Sequence, residues 1–242
     1  VGLAFVIALI NFTGMLGAEL HGPVVETYWT WMAVGDLHID AAFQLDQLSM
    51  LMTLIITGVG FLIHIFSVGY MHADAGYARY FSYLNLFVFF MLVLVLGSSY
   101  PLMFVGWEGV GLCSYLLIGF YYERHSASTA ANKAFIMNRV GDFGFLIGLM
   151  VLWTYFGTFS FGGFGSAEET GPQAASLFSM LRDHHGHVEV EETDTGESLV
   201  PLHVAEGEWP RTIPYWLLVA AGLGVFAGCV GKSAQFPLQT WL

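Results

Sequence analysis

Charge is scarce along this chain. Asp, Glu, Lys and Arg make up 11% of its 242 residues, against about a quarter in an ordinary soluble domain. A soluble fold of this length would need more charge to wet its surface. The seven Lys and Arg residues are scattered, which excludes the basic patch of a nucleic-acid binder. Only two cysteines occur, Cys113 and Cys229, both in apolar runs and without metal-ligand spacing. They read as small buried hydrophobes, and no redox compartment follows from them. No basic stretch precedes the first apolar run, so no cleaved signal peptide is expected. No Gly-rich nucleotide loop, Ser/His/Asp set, CxxC cluster or paired-histidine haem pattern is visible. The chain is expected to carry no redox centre, cofactor or metal of its own.

What the chain has instead is apolar length. Hydrophobic residues make up 56%, and mean hydropathy is +0.64. The net charge of -12 is concentrated in residues 184–208 and 19–46, leaving the remainder close to uncharged. A spanning helix needs about 20 mostly apolar residues. Six segments qualify: 1–17, 46–71, 80–97, 101–122, 132–157 and one from near Pro214 to the end. Pro101 and Pro214 suit first-turn positions, where a missing N–H costs nothing. The fold class is therefore an all-α integral membrane protein of about six transmembrane helices. It reads as one domain, 1–242, truncated at both ends, with the last helix stopping in mid-course.

Between the first two helices, residues 28–46 alternate apolar and polar around Gly35-Asp36. That pattern predicts a small β-hairpin on the membrane surface, the alternative being an irregular loop anchored by interfacial tryptophan. Positive charge in the short loops sets the orientation. Arg79 lies in the second inter-helix turn, and Arg124 with Lys133 in the fourth. These turns are placed on the cytoplasmic side, with the hairpin and the long segment 158–212 outside. That segment is read as an acidic extramembrane loop insertion, its Gly-rich start flexible. Asp183, His184, His185 and His187 with Glu189, Glu191 and Glu192 offer metal-ligand residue types, although such runs also occur as plain solvated loop.

Ionisable residues within spanning helices cost about 2.5–3.5 kcal/mol on insertion scales and are functional candidates. Four stand out: Glu108, Arg139, Asp142 and Lys232. Glu108 lies about 10 Å along its helix from Pro101, among Gly106, Gly109 and Gly111, which let another helix or water come close. It is either a proton-carrying carboxylate or one locked to a structural partner. Arg139 and Asp142 are three apart, share a face and can pair, as a relay or as a fixed ion pair. Lys232 precedes Pro237, whose missing N–H and ring disturb the turn at Ser233, and Gly228 and Gly231 weaken that turn further. A helix broken near Lys232 frees carbonyls that must face protein or water, a setting where a desolvated amine can exchange its proton. The alternative is a kinked helix end with a snorkelling lysine. His64 is expected to be a neutral histidine with one hydrogen bond, His72 and His125 to be solvated, and Asp46 to cap a helix.

The run Gly106-Trp107-Glu108-Gly109-Val110-Gly111-Leu112-Cys113-Ser114-Tyr115 closely resembles one family: the largest antiporter-like membrane subunit of proton-pumping NADH:quinone oxidoreductase, respiratory complex I, called subunit L in bacteria. Asp46-Gln47-Leu48-Ser49, Asn138-Arg139-Val140-Gly141-Asp142 and Gly231-Lys232-Ser233-Ala234-Gln235 with Pro237-Leu238-Gln239-Thr240-Trp241 are similar to it as well. The resemblance implies a proton-translocating subunit in which Glu108 and Lys232 form a switchable pair, with Asp142 and Arg139 as charged neighbours. It implies that NADH, FMN, iron–sulfur clusters and quinone are bound by other subunits. The implied partners are other complex I membrane subunits, a neighbouring antiporter-like subunit above all, and lipid. The implied location is a bacterial inner membrane rather than a mitochondrial one. A subunit of a multi-subunit Na+/H+ antiporter is the alternative, and a scaffold with fixed ion pairs a third reading.

Overall fold

The computed structural model describes residues 1–17, 23–35, 37–162, 176–182, 187–193, 196–203 and 211–242. The apolar segments form α1 (Gly2–Leu16), α2 (Gln47–Tyr70), α3 (Tyr77–Leu96), α4 (Tyr100–Ile118), α5 (His125–Phe156) and, after the short α6 (Leu177–Leu181), α7 (Tyr215–Lys232). Among the described residues five helices, α2 to α5 and α7, are long and apolar enough to cross a membrane, and α1 is a shorter apolar helix. The protein is an integral, multi-pass membrane protein.

Local chemistry sets the helix ends. Asp46 caps α2: its carboxylate accepts from the Ser49 N–H at 2.7 Å, and the Ser49 hydroxyl accepts from the Asp46 N–H at 2.8 Å. Such a reciprocal box satisfies two otherwise orphaned donors. Pro101 sits in the first turn of α4, and Pro214 caps α7. α5 begins at His125, about two turns earlier than hydropathy suggests. Residues 125–131 are polar but hold three alanines, the best helix former.

The end of α7 corrects one expectation. The helix does not run to the chain end but stops at Lys232, well before Pro237, and residues Gln239–Trp241 form a separate 3-10 turn. Gln235 N–H donates to the Val230 carbonyl at 3.0 Å and Ala234 N–H to Gly231 at 3.4 Å. Ala234 has φ +49. Together these form a Schellman stop with alanine at the left-handed position normally held by glycine.

Strands β1 (Val24–Val34) and β2 (Leu37–Leu45) form the expected antiparallel hairpin, with the first strand starting before Tyr28. Asp36 lies outside the described residues. Register shifts between Thr27 and Trp29 and between Thr30 and Met32 interrupt the alternation. β1 is exposed along its length, whereas β2 buries Ile39, Ala41, Ala42 and Gln44 against the bundle. The Ser98 N–H donates to the Ala42 carbonyl and so fastens the hairpin to the α3–α4 junction.

The described parts of segment 158–212 carry regular structure. Besides α6 they hold β3 (Glu191–Glu192), β4 (Ser198–Leu202) and β5 (Arg211–Pro214), a three-stranded antiparallel sheet in that order. Leu177, Met180, Val200, Leu202 and Ile213 bury their side chains against Phe145, Leu149, Leu152 and Phe156 of α5. Residues 163–175 and the candidate ligands Asp183, His184 and His185 lie outside the described residues. Among the described residues no three His, Cys, Asp or Glu side chains cluster.

Glycine governs the helix packing. A methyl on Gly141 would meet the Ala227 carbonyl at 2.7 Å, one on Gly148 the Ala221 carbonyl at 2.7 Å, and one on Gly224 the Gly144 carbonyl at 2.7 Å. α5 and α7 therefore touch backbone to backbone, the small-residue packing of membrane helices. Gly106 lies against the backbone of Leu94, so α3 and α4 are joined the same way.

Candidate functional site

The interior joins of α4, α5 and α7 carry the four predicted charges. Glu108 lies about 12 Å along α4 from Tyr100, and its carboxylate is ion-paired with the Arg139 guanidinium on α5. The Arg139 guanidinium also lies 4.4 Å above the Phe135 ring and faces Asp142 Oδ2 at 3.5 Å. That second oxygen has no hydrogen bond among the described residues. Asp142 is 3% exposed, and its Oδ1 accepts from the Trp107 indole N–H at 2.6 Å. Lys232, the last residue of α7, donates from Nζ to the Trp107 carbonyl at 3.1 Å and lies 5.6 Å from the Trp107 ring centroid.

Two cations are thus balanced by two carboxylates in a continuous chain across three helices. Isolated, any of them would carry a desolvation cost of several kcal/mol; pairing and hydrogen bonding lower it. The structure brings Glu108, Arg139 and Asp142 into direct contact. It places Lys232 on the peptide group between Trp107 and Glu108 rather than on the Glu108 carboxylate.

Each expected glycine has a partner. Gly106 and Gly109 receive Leu94 and Phe90 of α3, and a side chain on Gly111 would collide with Lys232 Nζ. Glu108 and Gly111 are three residues apart and share a face of α4. The lysine therefore reaches the face from which Glu108 projects. The break after Lys232 is held by Trp241, whose indole N–H donates to the Gly231 carbonyl at 3.0 Å.

Trp107 and Trp241 carry hydrogen bonds that sequence reasoning did not assign. A tryptophan in an apolar helix gives no signal beyond packing; a carboxylate and an amine on neighbouring helices are the only hint of what its N–H and C=O serve. A cavity of about 440 Å³ extends from Gln44 and Asp46 at the hairpin end to Trp107 and Cys229. Cys113 is buried. The Nδ1 of His64 donates to the Gly60 carbonyl at 2.7 Å.

The opposite end of the bundle has its own polar clasp. The Tyr121 hydroxyl donates to Asp74 Oδ2 at 2.8 Å, and the Gly76 N–H to Asp74 Oδ1 at 2.7 Å. These two donors hold the Asp74 carboxyl below its usual range, while the bond to Asp74 pushes the Tyr121 phenol up. Arg79 donates to the Phe120 carbonyl at 3.1 Å and packs on the Phe120 and Tyr122 rings. The α2–α3 and α4–α5 turns are thereby fastened together.

A helical membrane bundle with charges at its helix joins and a helix that stops at a half-buried lysine fits an antiporter-type transmembrane domain. The chain matches two family profiles: "NADH-Ubiquinone oxidoreductase (complex I), chain 5 N-terminus" over residues 31–81 and "NADH:quinone oxidoreductase/Mrp antiporter, TM" over residues 97–242. It belongs to the NADH:quinone oxidoreductase/Mrp antiporter transmembrane family. It is 42% identical to NADH-quinone oxidoreductase subunit L of Mycobacterium tuberculosis, over 99% of this chain and 31% of that protein. It is 41% identical to the subunit L of Escherichia coli, over 100% of this chain and 33% of that protein. The chain thus spans about a third of the length of these curated relatives. In fold it is similar to a chain in the structure of the Mrp complex from Dietzia sp., with a TM-score of 0.66 at 20% identity, covering all of this chain and 22% of that one.

Proposed function

We propose that this chain is part of a proton-translocating membrane subunit of NADH:quinone oxidoreductase, and that Glu108, Arg139, Asp142 and Lys232 move and modulate the proton. One observation carries the reading. The Lys232 ammonium lies against Gly111 and the Trp107 carbonyl, on the face of α4 from which Glu108 projects, while Glu108 itself is held by Arg139.

Arg139 has two carboxylates within reach, Glu108 and Asp142. When Arg139 turns to Asp142, Glu108 is released and swings by a side-chain rotation toward Lys232. A carboxylate beside an amine favours its charged form, and withdrawal of the carboxylate favours loss of the proton. Two alternative pairings of one arginine thus become two proton affinities of one lysine. Redox chemistry with NADH, FMN, iron–sulfur clusters and quinone belongs to partner subunits, and a neighbouring antiporter-like subunit abuts this one. The membrane is the bacterial inner membrane, with the Arg79 and Arg124 turns on the cytoplasmic side.

Glu108→Gln in the intact complex, reconstituted in vesicles, tests the reading. Protons moved per NADH oxidised are expected to fall; an unchanged ratio would leave the charges as a fixed scaffold. The likeness in fold to an Mrp complex favours a second reading, a subunit of a cation/proton antiporter. Purification from native membranes separates the two: flavin and iron–sulfur subunits accompany the chain in the first case and not in the second.

A further inference from the structure

We propose that Trp107 is the positioning residue of the site, holding Asp142 with its indole N–H and Lys232 with its carbonyl. The inference rests on the proton-translocating reading above and adds a residue to it.

The geometry of Trp107 differs from that of a packing aromatic. Its N–H reaches Asp142 Oδ1 at 2.6 Å, a charge-assisted distance for an N–H donor. That is the only hydrogen bond to the Asp142 carboxylate among the described residues, because Oδ2 faces Arg139 without one. Its carbonyl accepts from Lys232 at 3.1 Å. Its ring stacks on Phe145, 5.7 Å between centroids at 29°, which restricts rotation of the indole. Asp142 is faced by Arg139 on its own helix and by Trp107 on α4. Trp107 thus hydrogen-bonds to both Asp142 and Lys232.

The bonded carbonyl adds a second consequence. The Trp107 C=O and the Glu108 N–H belong to one peptide group, so the lysine is anchored at the backbone of its own proposed counter-ion. A change in the Lys232 ammonium alters its hold on that peptide, and the same residue grips Asp142 through its side chain. Trp107 thereby relates the state of Lys232 to which carboxylate Arg139 takes.

The test exchanges Trp107 in the intact complex for benzothienylalanine, which keeps the shape of the side chain but lacks the N–H, and for 7-azatryptophan, which keeps it. Assembly is checked on native gels. Two quantities are read: protons moved per NADH, and the infrared band of the Asp142 carboxyl, assigned by its disappearance in Asp142→Asn. With benzothienylalanine the proton ratio is expected to fall to the Glu108→Gln value and the Asp142 band to shift. With 7-azatryptophan both are expected to stay near wild type. An unmoved band with wild-type pumping in the benzothienylalanine protein would reduce Trp107 to packing and overturn the inference. If the band shifts but neither Glu108→Gln nor Lys232→Ala affects pumping, the translocation reading fails instead, so the two failures are distinguishable.

Discussion

Lys232 Nζ occupies the space that a side chain at position 111 would fill. A methyl group there would have to push the amine from its present place at the Trp107 carbonyl. Gly111→Ala is therefore expected to expel Lys232 from α4 although alanine is the better helix former by about 1 kcal/mol. A hydrogen bond to a charged group contributes about 1.5–3 kcal/mol, so pumping by the intact complex should fall by about tenfold to a hundredfold while helix content holds. Pumping at the wild-type rate would show that the contact with Trp107 is dispensable.

Arg139 faces two carboxylates, the partly exposed Glu108 and the buried Asp142. Removing the arginine leaves both carboxylates without their cation, at a cost set mostly by the buried one. Arg139→Gln should therefore lower assembly and thermal stability more than the double change Arg139→Gln with Glu108→Gln. A double-mutant cycle on thermal unfolding in detergent measures this coupling, and strictly additive effects would contradict it.

The stop of α7 stores backbone strain. Ala234 holds a left-handed φ of +49, which costs an L-residue about 1–2 kcal/mol. Ala234→Gly is expected to raise the thermal midpoint by a few degrees and leave Lys232 in place. A lower midpoint would mean that the methyl group makes a contact worth more than the strain.

The clasp between Asp74 and Tyr121 gives a pH dependence with a definite sign. The carboxyl is held below its usual value, so its contribution is complete above the unfolded pKa, about 3.9, and is lost as pH falls through the lower folded value. The phenol is pushed up, so its contribution is complete below about 10 and is lost as pH rises through the higher folded value. Protection of the Gly76 amide, which donates to Asp74, against hydrogen exchange, taken relative to the intrinsic rate at each pH, should be high between these limits and lower outside them. Tyr121→Phe should lower the protection within the window, and protection insensitive to the phenol would remove the clasp.

Much of this was legible from residue types alone. Six apolar runs became six helices because apolar length is a local property, and the Asp46 cap and the Gly35 turn are local too. The four charges stood out because each is costly in its segment. Pairing was less legible. Arg139 could be matched with Asp142 by spacing, but its ion pair with Glu108 depends on how α4 and α5 are rotated, and no spacing within one helix encodes that. The placement of Lys232 on a backbone carbonyl was out of reach for a stronger reason, since every residue has a carbonyl. The sheet β3–β5 went unread because its strands are two to five residues long and its pairing, like its burial against α5, is not local. The stop of α7 was anticipated near Lys232 but attributed to Pro237, whereas the reversal occurs at Ala234.

The seam between α5 and α7 has a mechanical outcome. Where backbones meet through glycine there are no side-chain rotamers to absorb a displacement, so the two helices behave as a single stiff rod bearing Arg139, Asp142 and Lys232. Glu108 and Trp107 ride on the other body, α4, which glycine clamps to α3. A slip of one body past the other by a fraction of an ångström would alter every link between them at once.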